Sequence, residues 1–362
     1  MATRDYSLLG ADGARAVETG LAAAEWYHSE VPRKVIKELM QRSDGPAIRD
    51  SIILYGSMIV LAGISIMLWP SWWSVPFLFA YAVCYGSASD SRWHECGHGT
   101  AFKTGWMNDY VYHIASFMVV RNPYVWRWSH ARHHTDTLIV GRDPEIAVMR
   151  APDLIKVAFV FFGLPGVLHD WGRMLSYAFT GKVGAEEATF IPNTEHHKVI
   201  FVARIWTLIY AVTLALALYL GSILPLLLVG LPRLYGGWQH VMVGLLQHGG
   251  LADNVLDHRL NSRTVIMGPI NRFLYWNMNY HLEHHMFPMV PYHALPRLHA
   301  LIKDDLPAPT QGIIAAYREM LPVLKKQLSN EEAFLKRELP PTARPYRQDF
   351  HVSALGAAIA AE

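Results

Sequence analysis

SIILYGSMIVLAGISIMLWPSWWSVPFLFAYAVCYGSAS, residues 51–89, holds no Asp, Glu, Lys or Arg in 39 positions. One membrane-spanning helix needs about 20 apolar residues, so the run is long enough for two. Pro70-Ser71-Trp72-Trp73 falls in its middle, where proline interrupts a helix and tryptophans suit the membrane interface. The expectation is a hairpin with arms near 51–69 and 73–89. A second uncharged run, 205–232, extends with its flanks over 198–246 and has Gly221-Ser222 as its turn. Its arms are expected near 199–219 and 223–246. One long span is the alternative there. Parity decides against it, because histidine clusters lie before and after this run and only an even number of crossings lets them meet.

The uncharged hairpin tips, 70–74 and 220–222, put every Lys and Arg on or toward the other side, which the positive-inside rule makes cytoplasmic. A bacterial inner-membrane protein with a cytoplasmic active site is expected. The chain has 362 residues, 52% of them hydrophobic, and a mean hydropathy of +0.14. That balance suits a few spans joined to a large aqueous part. A net charge of +2 without a basic run gives no reason to expect nucleic acid. Two cysteines, Cys84 and Cys96, exclude a disulfide framework or an iron–sulfur site, so any electrons must come from another protein. The N-terminal residues lack the apolar core of a signal peptide.

The resulting plan is all-α. Residues 1–50 form a cytoplasmic helical region, 51–89 the first hairpin and 90–198 a cytoplasmic region. Residues 199–246 form the second hairpin, 247–338 a second cytoplasmic region and 339–362 a tail that reads as poorly packed from Pro340. The apolar stretch 157–168 contains Gly163 and Pro165 and is read as interfacial or re-entrant. Arg233 would lie about 16 Å from the hairpin tip at 1.5 Å per residue, and a partner inside the helix bundle is expected for it.

Among nineteen histidines, eight fall into three boxes: His94 and His98; His130, His133 and His134; His281, His284 and His285. On a helix, i, i+3 and i+4 share one side, and adjacent histidines straddle it and can serve two neighbouring metals. Eight imidazoles exceed what one ion takes, so two ions are the natural count. Imidazole suits Fe, Zn, Cu and Ni alike, and spacing alone does not choose.

The stretches His94-Glu95-Cys96-Gly97-His98-Gly99, His130-Ala131-Arg132-His133-His134-Thr135-Asp136-Thr137 and His281-Leu282-Glu283-His284-His285-Met286-Phe287-Pro288 resemble the membrane fatty-acid desaturase and hydroxylase superfamily over roughly 50–300. The resemblance implies four transmembrane helices as two hairpins, with a cytoplasmic helical cap holding two Fe ions, and O2 as oxidant. It also implies a ninth ligand at the end of the fourth span, where Leu246-Gln247-His248-Gly249-Gly250-Leu251 stands. His248 is the choice there and His240 the competitor. Trp128-Ser129-His130 and 247–254 are further similar to bacterial hydrocarbon oxygenases of rhizopine catabolism and to dihydrorhizobitoxine desaturases, whose substrates need not be fatty acids.

No His-Pro-Gly-Gly haem motif occurs. The resemblance therefore implies a separate ferredoxin, rubredoxin or cytochrome b5, with its reductase, as donor, and a hydrophobic or lipid-like substrate drawn from membrane lipid. No side-chain acid or base breaks an unpolarised C–H bond, so no catalytic residue is expected beyond the metal centre. Glu95, Asp136 and Glu283 are candidates to accept from the ligands' other ring nitrogens. Trp93, Trp106, Tyr110, Trp126, Trp128, Tyr275 and Trp276 are candidates to line a substrate tunnel. Arg132, Arg142, Arg259, Arg263 and Arg272 are candidates to meet an acidic donor. The other histidines, His258 among them, read mostly as surface residues.

Desaturation is the expected outcome, because Met286-Phe287-Pro288 continues the third box as in many desaturases. Hydroxylation, or oxidation of a small non-lipid molecule, is the alternative. His94-Glu95-Cys96-Gly97-His98 also satisfies the HExxH zinc-protease pattern, which leaves the other two boxes unexplained. A metal transporter would need ligands within the membrane.

Overall fold

The computed structural model describes residues 4–22, 24–161 and 164–347, and these are mostly helical. The first arm of the charge-free run is the helix Asp44–Leu68. Trp72–Ser74 makes a tight turn in which the Ser71 hydroxyl accepts from the Trp73 N–H. Val75–Val83 follows, with Pro76 in its first turn, where the missing N–H has no helical partner to lose. Backbone hydrogen bonding then widens to the π pattern over Cys84–Ala88 before Ser89–Gly97 resumes an α-helix. The second arm thus runs as one rod into the first histidine box.

Two helical stretches, Arg33–Leu68 and Asn193–Tyr219, are long and apolar enough to cross a membrane. Their outward residues are large and apolar: Met67 is 81% exposed and Leu218 74%. Such continuous apolar flanks suit lipid. The expected fourth arm, near 223–246, is not one helix. It is divided into Leu224–Leu228, Pro232–Gly236 and Trp238–His248. Val229 is extended and Gly230 has φ +102°. Pro232 cannot donate to a preceding turn, so the break is set locally. Leu154–Phe161 and Leu164–Thr180, around the expected re-entrant stretch, meet at 79°.

Arg233 has the partners expected of it. One Nη donates to the Gly86 carbonyl and the other lies 3.5 Å from Asp90 Oδ2. The short Pro232–Gly236 helix packs on Val75–Val83, and Gly236 is the point of contact. A Cβ built there would sit 2.0 Å from the Ala82 carbonyl carbon, and backbone cannot yield as a side-chain tip can. Gly236→Ala is therefore expected to destabilise by about 1–3 kcal/mol or more, read as a lower melting temperature in detergent. An unchanged melting temperature would mean that these segments do not touch.

On the polar side, Ile313–Gln327 packs against Trp238–His248 and against a two-residue parallel ladder, Val265–Ile266 with Thr310–Gln311. The tail is better packed than its sequence suggests. The carbonyls of Arg344 and Pro345 accept from Arg259, and the Tyr346 hydroxyl donates to the Arg337 carbonyl. Residues 348–362 of the expected tail lie outside the described residues. Arg259 and Arg263 are fully buried; Arg259 pairs with Asp257 and Asp305. Neither is free to meet a donor protein.

Candidate metal centre

The three boxes come from three helices. Ser89–Gly97 carries His94, with His98 at its C-cap. Pro123–Thr135 carries His130, His133 and His134, and starts where Asn122 Oδ1 accepts from the Tyr124 N–H. His281–Met286 carries the third box. Trp238–His248 ends at His248, and Gly250, at φ +72°, lets the chain turn away from it.

Nine imidazoles form two groups, within each of which the ring nitrogens all lie within 4.8 Å of one another. The first is His94, His98, His130, His134 and His284; the second is His133, His248, His281 and His285. Helical spacing sorts them. The i and i+4 members, His130 with His134 and His281 with His285, share a group, and the third member of each box turns to the other. His248 stands in the second group. His240 stands in neither and lies 3.1 Å from Asp90 Oδ1.

Hydrogen-bond partners fix which nitrogens face inward. His130 Nδ1 lies 2.9 Å from Glu145 Oε2 and His133 Nδ1 2.8 Å from Asp143 Oδ2. His248 Nδ1 donates to the Asn261 carbonyl at 2.7 Å. The Thr137 hydroxyl donates to the His133 carbonyl and so must accept from His285 Nδ1 at 3.2 Å. In these four rings the proton is on Nδ1 and the Nε2 lone pair is left over.

Those lone pairs converge. Nε2 of His281 lies 2.9 Å from Nε2 of both His248 and His285, and a single proton on His281 can satisfy only one of them. In the first group, successive Nε2 atoms of His98, His130, His134 and His284 lie 3.1, 3.2 and 3.2 Å apart. Both ring nitrogens of His94 are buried with no hydrogen-bond partner. Ligands about 2.1 Å from one ion and at right angles to each other stand about 3.0 Å apart. A cation in each group would satisfy every inward lone pair, so the donor sets fit two metals.

Burial keeps the rings neutral, as ligation requires. It pushes His94 and His98 down to about 3 and lowers His130, His134, His281, His284 and His285 well below the usual imidazole range. His133 differs. Burial would lower it too, but the adjacent Asp143 carboxylate holds it above the ordinary value.

The carboxylates singled out from the sequence are placed differently. Glu95 Oε1 lies 3.7 Å from His94 Nδ1 and 3.8 Å from His284 Nδ1, while its other oxygen accepts from Thr100 and the Tyr292 N–H. Asp136 accepts from Arg142 at 3.0 Å. Glu283 is bound by His299 and Thr264. The acceptors that do hold ligand nitrogens, Asp143 and Glu145, were missed. Their signal was the acidic turn Arg142-Asp143-Pro144-Glu145 directly after the second box.

His258, read as a surface residue, is buried and stacks on Trp26 at 4.2 Å. A cavity of about 270 Å³ opens onto His94, His130 and His248, with Trp93, Trp126 and Tyr275 in its walls. Trp106 and Tyr110 are exposed and Trp276 is buried in the core.

Residues 21–316 match a family described as "Fatty acid desaturase". The chain is 25% identical over 277 residues to an omega-3 fatty acid desaturase, chloroplastic, of Sesamum indicum, covering 70% of this chain and 59% of that protein. It is 24% identical over 283 residues to the sn-2 acyl-lipid omega-3 desaturase (ferredoxin), chloroplastic, of Helianthus annuus, covering 73% and 62%. It is 23% identical over 274 residues to the acyl-lipid omega-3 desaturase (cytochrome b5), endoplasmic reticulum, of Arabidopsis thaliana, covering 70% and 69%. The chain thus spans less than two thirds of the two chloroplastic relatives.

Proposed function

The chain belongs to the fatty acid desaturase family, and from that premise we propose that it is an O2-dependent membrane di-iron oxidase that desaturates an unactivated C–C bond of a fatty-acyl or related lipid-like substrate. The observation that carries the reading is the pair of histidine groups. His94, His98, His130, His134 and His284 would hold one iron; His133, His248, His281 and His285 would hold the other. Two irons there would supply the O2-derived oxidant that an unpolarised C–H bond demands.

The chain's own residues do the rest. Asp143, Glu145, Thr137 and the Asn261 carbonyl hold Nδ1 protons in place and so aim Nε2 inward. The cavity beside the groups receives the carbon to be oxidised and limits water around it. Reducing equivalents come from a separate ferredoxin, rubredoxin or cytochrome b5; two relatives are named for ferredoxin and cytochrome b5. We place four crossings, with the broken segment 224–248 as the fourth, and put the site on the cytoplasmic face of a bacterial inner membrane. Charge placement supports this. A zinc protease fits poorly, since such sites use three protein ligands and the two groups here gather nine imidazoles.

The test is expression in cells, with analysis of membrane acyl chains and of small-molecule extracts. A new double bond that depends on O2 and on His284 is the expected result. An alcohol at the same carbon would replace desaturase by hydroxylase. Proteolysis without O2 uptake would remove the oxidase reading.

A further inference from the structure

Beside the histidine groups, the cavity wall carries charges that an acyl chain does not need. Asp90, Arg121, Asp170 and Arg233 line it together with His94 and His130. Asp90 and Arg233 are 4% and 6% exposed. Asp90 Oδ2 lies 2.8 Å from an Arg121 Nη and 3.5 Å from an Arg233 Nη. Asp90 thus serves both guanidiniums, and Asp170 is a second carboxylate within electrostatic reach of them. The Arg121 guanidinium carbon lies 4.4 Å from the Trp126 ring centre and 5.0 Å from that of Trp93, and its buried Nε has no hydrogen-bond partner. The Tyr275 hydroxyl is likewise buried and unpartnered in the same wall. Among the described residues, Asp170 makes no ion pair with either arginine, although it shares their cavity.

A chain attacked far from its headgroup would bring only methylene groups here and leave two buried donors, the Arg121 Nε–H and the Tyr275 hydroxyl, without partners. A carboxylate supplies what is missing, since a guanidinium edge pairs with it in two parallel bonds. We propose that Arg121 and Arg233, with the Tyr275 hydroxyl, bind a carboxylate of the substrate, so that the compound oxidised is a free acid whose acid group lies in the same cavity as the metal-facing imidazoles. The inference rests on the oxidase reading for the chemistry, but binding can be measured without turnover.

The test uses the detergent-purified full chain as isolated, with hexanoate, hexanamide and 1-hexanol as probes, followed by tryptophan fluorescence. Wild type is expected to bind hexanoate at least about tenfold more tightly than hexanamide. Arg121→Gln and Arg233→Gln should each reduce that preference to about twofold or less, with iron content unchanged. Equal binding of the two probes by wild type overturns the proposal. A preference that survives both variants overturns it as well, because the carboxylate would then sit on the metal. Should neither arginine variant fold, Asp170→Asn decides. Removing that nearby negative charge should tighten hexanoate several-fold and leave hexanamide unchanged, and no change is fatal. Absence of iron would defeat the oxidase reading while leaving the probe preference readable.

Discussion

Changing His133 and His134 together to alanine is expected to strip most of the iron from the purified protein and reduce product formation to background. The two residues are adjacent, yet His133 belongs to one imidazole group and His134 to the other, so one double variant removes a ligand from each. Loss of a partner one bond outside a metal's ligands already costs about 10–100-fold in affinity or activity, and loss of a ligand in both groups should cost more. Wild type should carry about two irons per chain, the count suited to paired sites. His240→Ala is the matched control: it is a nearby half-buried histidine in neither group, so iron content should stay the same. One zinc per chain, unaffected by the double variant, would end the di-iron reading.

Asp143→Ala should lower iron affinity or activity about 10–100-fold, and Glu145→Ala should do so by a similar factor. Each carboxylate accepts from a ligand ring, Asp143 from His133 and Glu145 from His130, and thereby fixes which nitrogen faces inward. The two are distinguishable. Asp143 also accepts from the N–H groups of Leu138 and Glu145, so alanine there loosens the whole turn. Asp143→Asn keeps an acceptor for the Glu145 N–H alone, because its NH2 replaces the oxygen that accepts from both the Leu138 N–H and His133 Nδ1. If the carboxylate beside His133 matters, Asn should resemble Ala in iron affinity while recovering part of the lost melting temperature. If only the turn matters, Asn should fall between Ala and wild type in both. Iron titration with parallel melting curves separates these outcomes, and full iron affinity in both alanine variants would refute the role given to these acids.

Much of this was legible because helical spacing is a local property. His130 and His134, or His281 and His285, must share a side wherever their helices go. The same rule also shows why one candidate failed. Glu283 is two positions after His281, about 200° around the helix, and so it faces His299 instead of the ligand groups. Asp143 and Glu145 could not be read this way. They return to the second box through a turn, and nothing in a polar five-residue stretch says whether it folds back or faces water. The broken segment at 224–248 had its signs in Pro225, Gly230 and Pro232, but uniform apolarity concealed them. Arg259 and Arg263 were misjudged because a charge says nothing about burial until its partners are placed, and those partners, Asp305 and the Leu246 carbonyl, are distant in sequence or on the backbone.

The π turn at Cys84–Ala88 is a matter of phase. A regular helix advances about 100° per residue, and one residue added to a single turn rotates everything beyond it by that angle. The face that Val75–Val83 offers to its neighbours and the face on which His94 and His98 stand are therefore set independently, although they belong to one rod. Shortening 84–88 by one residue would keep the rod's length almost unchanged and turn the first box away from the other two. The hydrophobic arm would still pack, and the cell would hold a well-folded protein with an open-sided metal site.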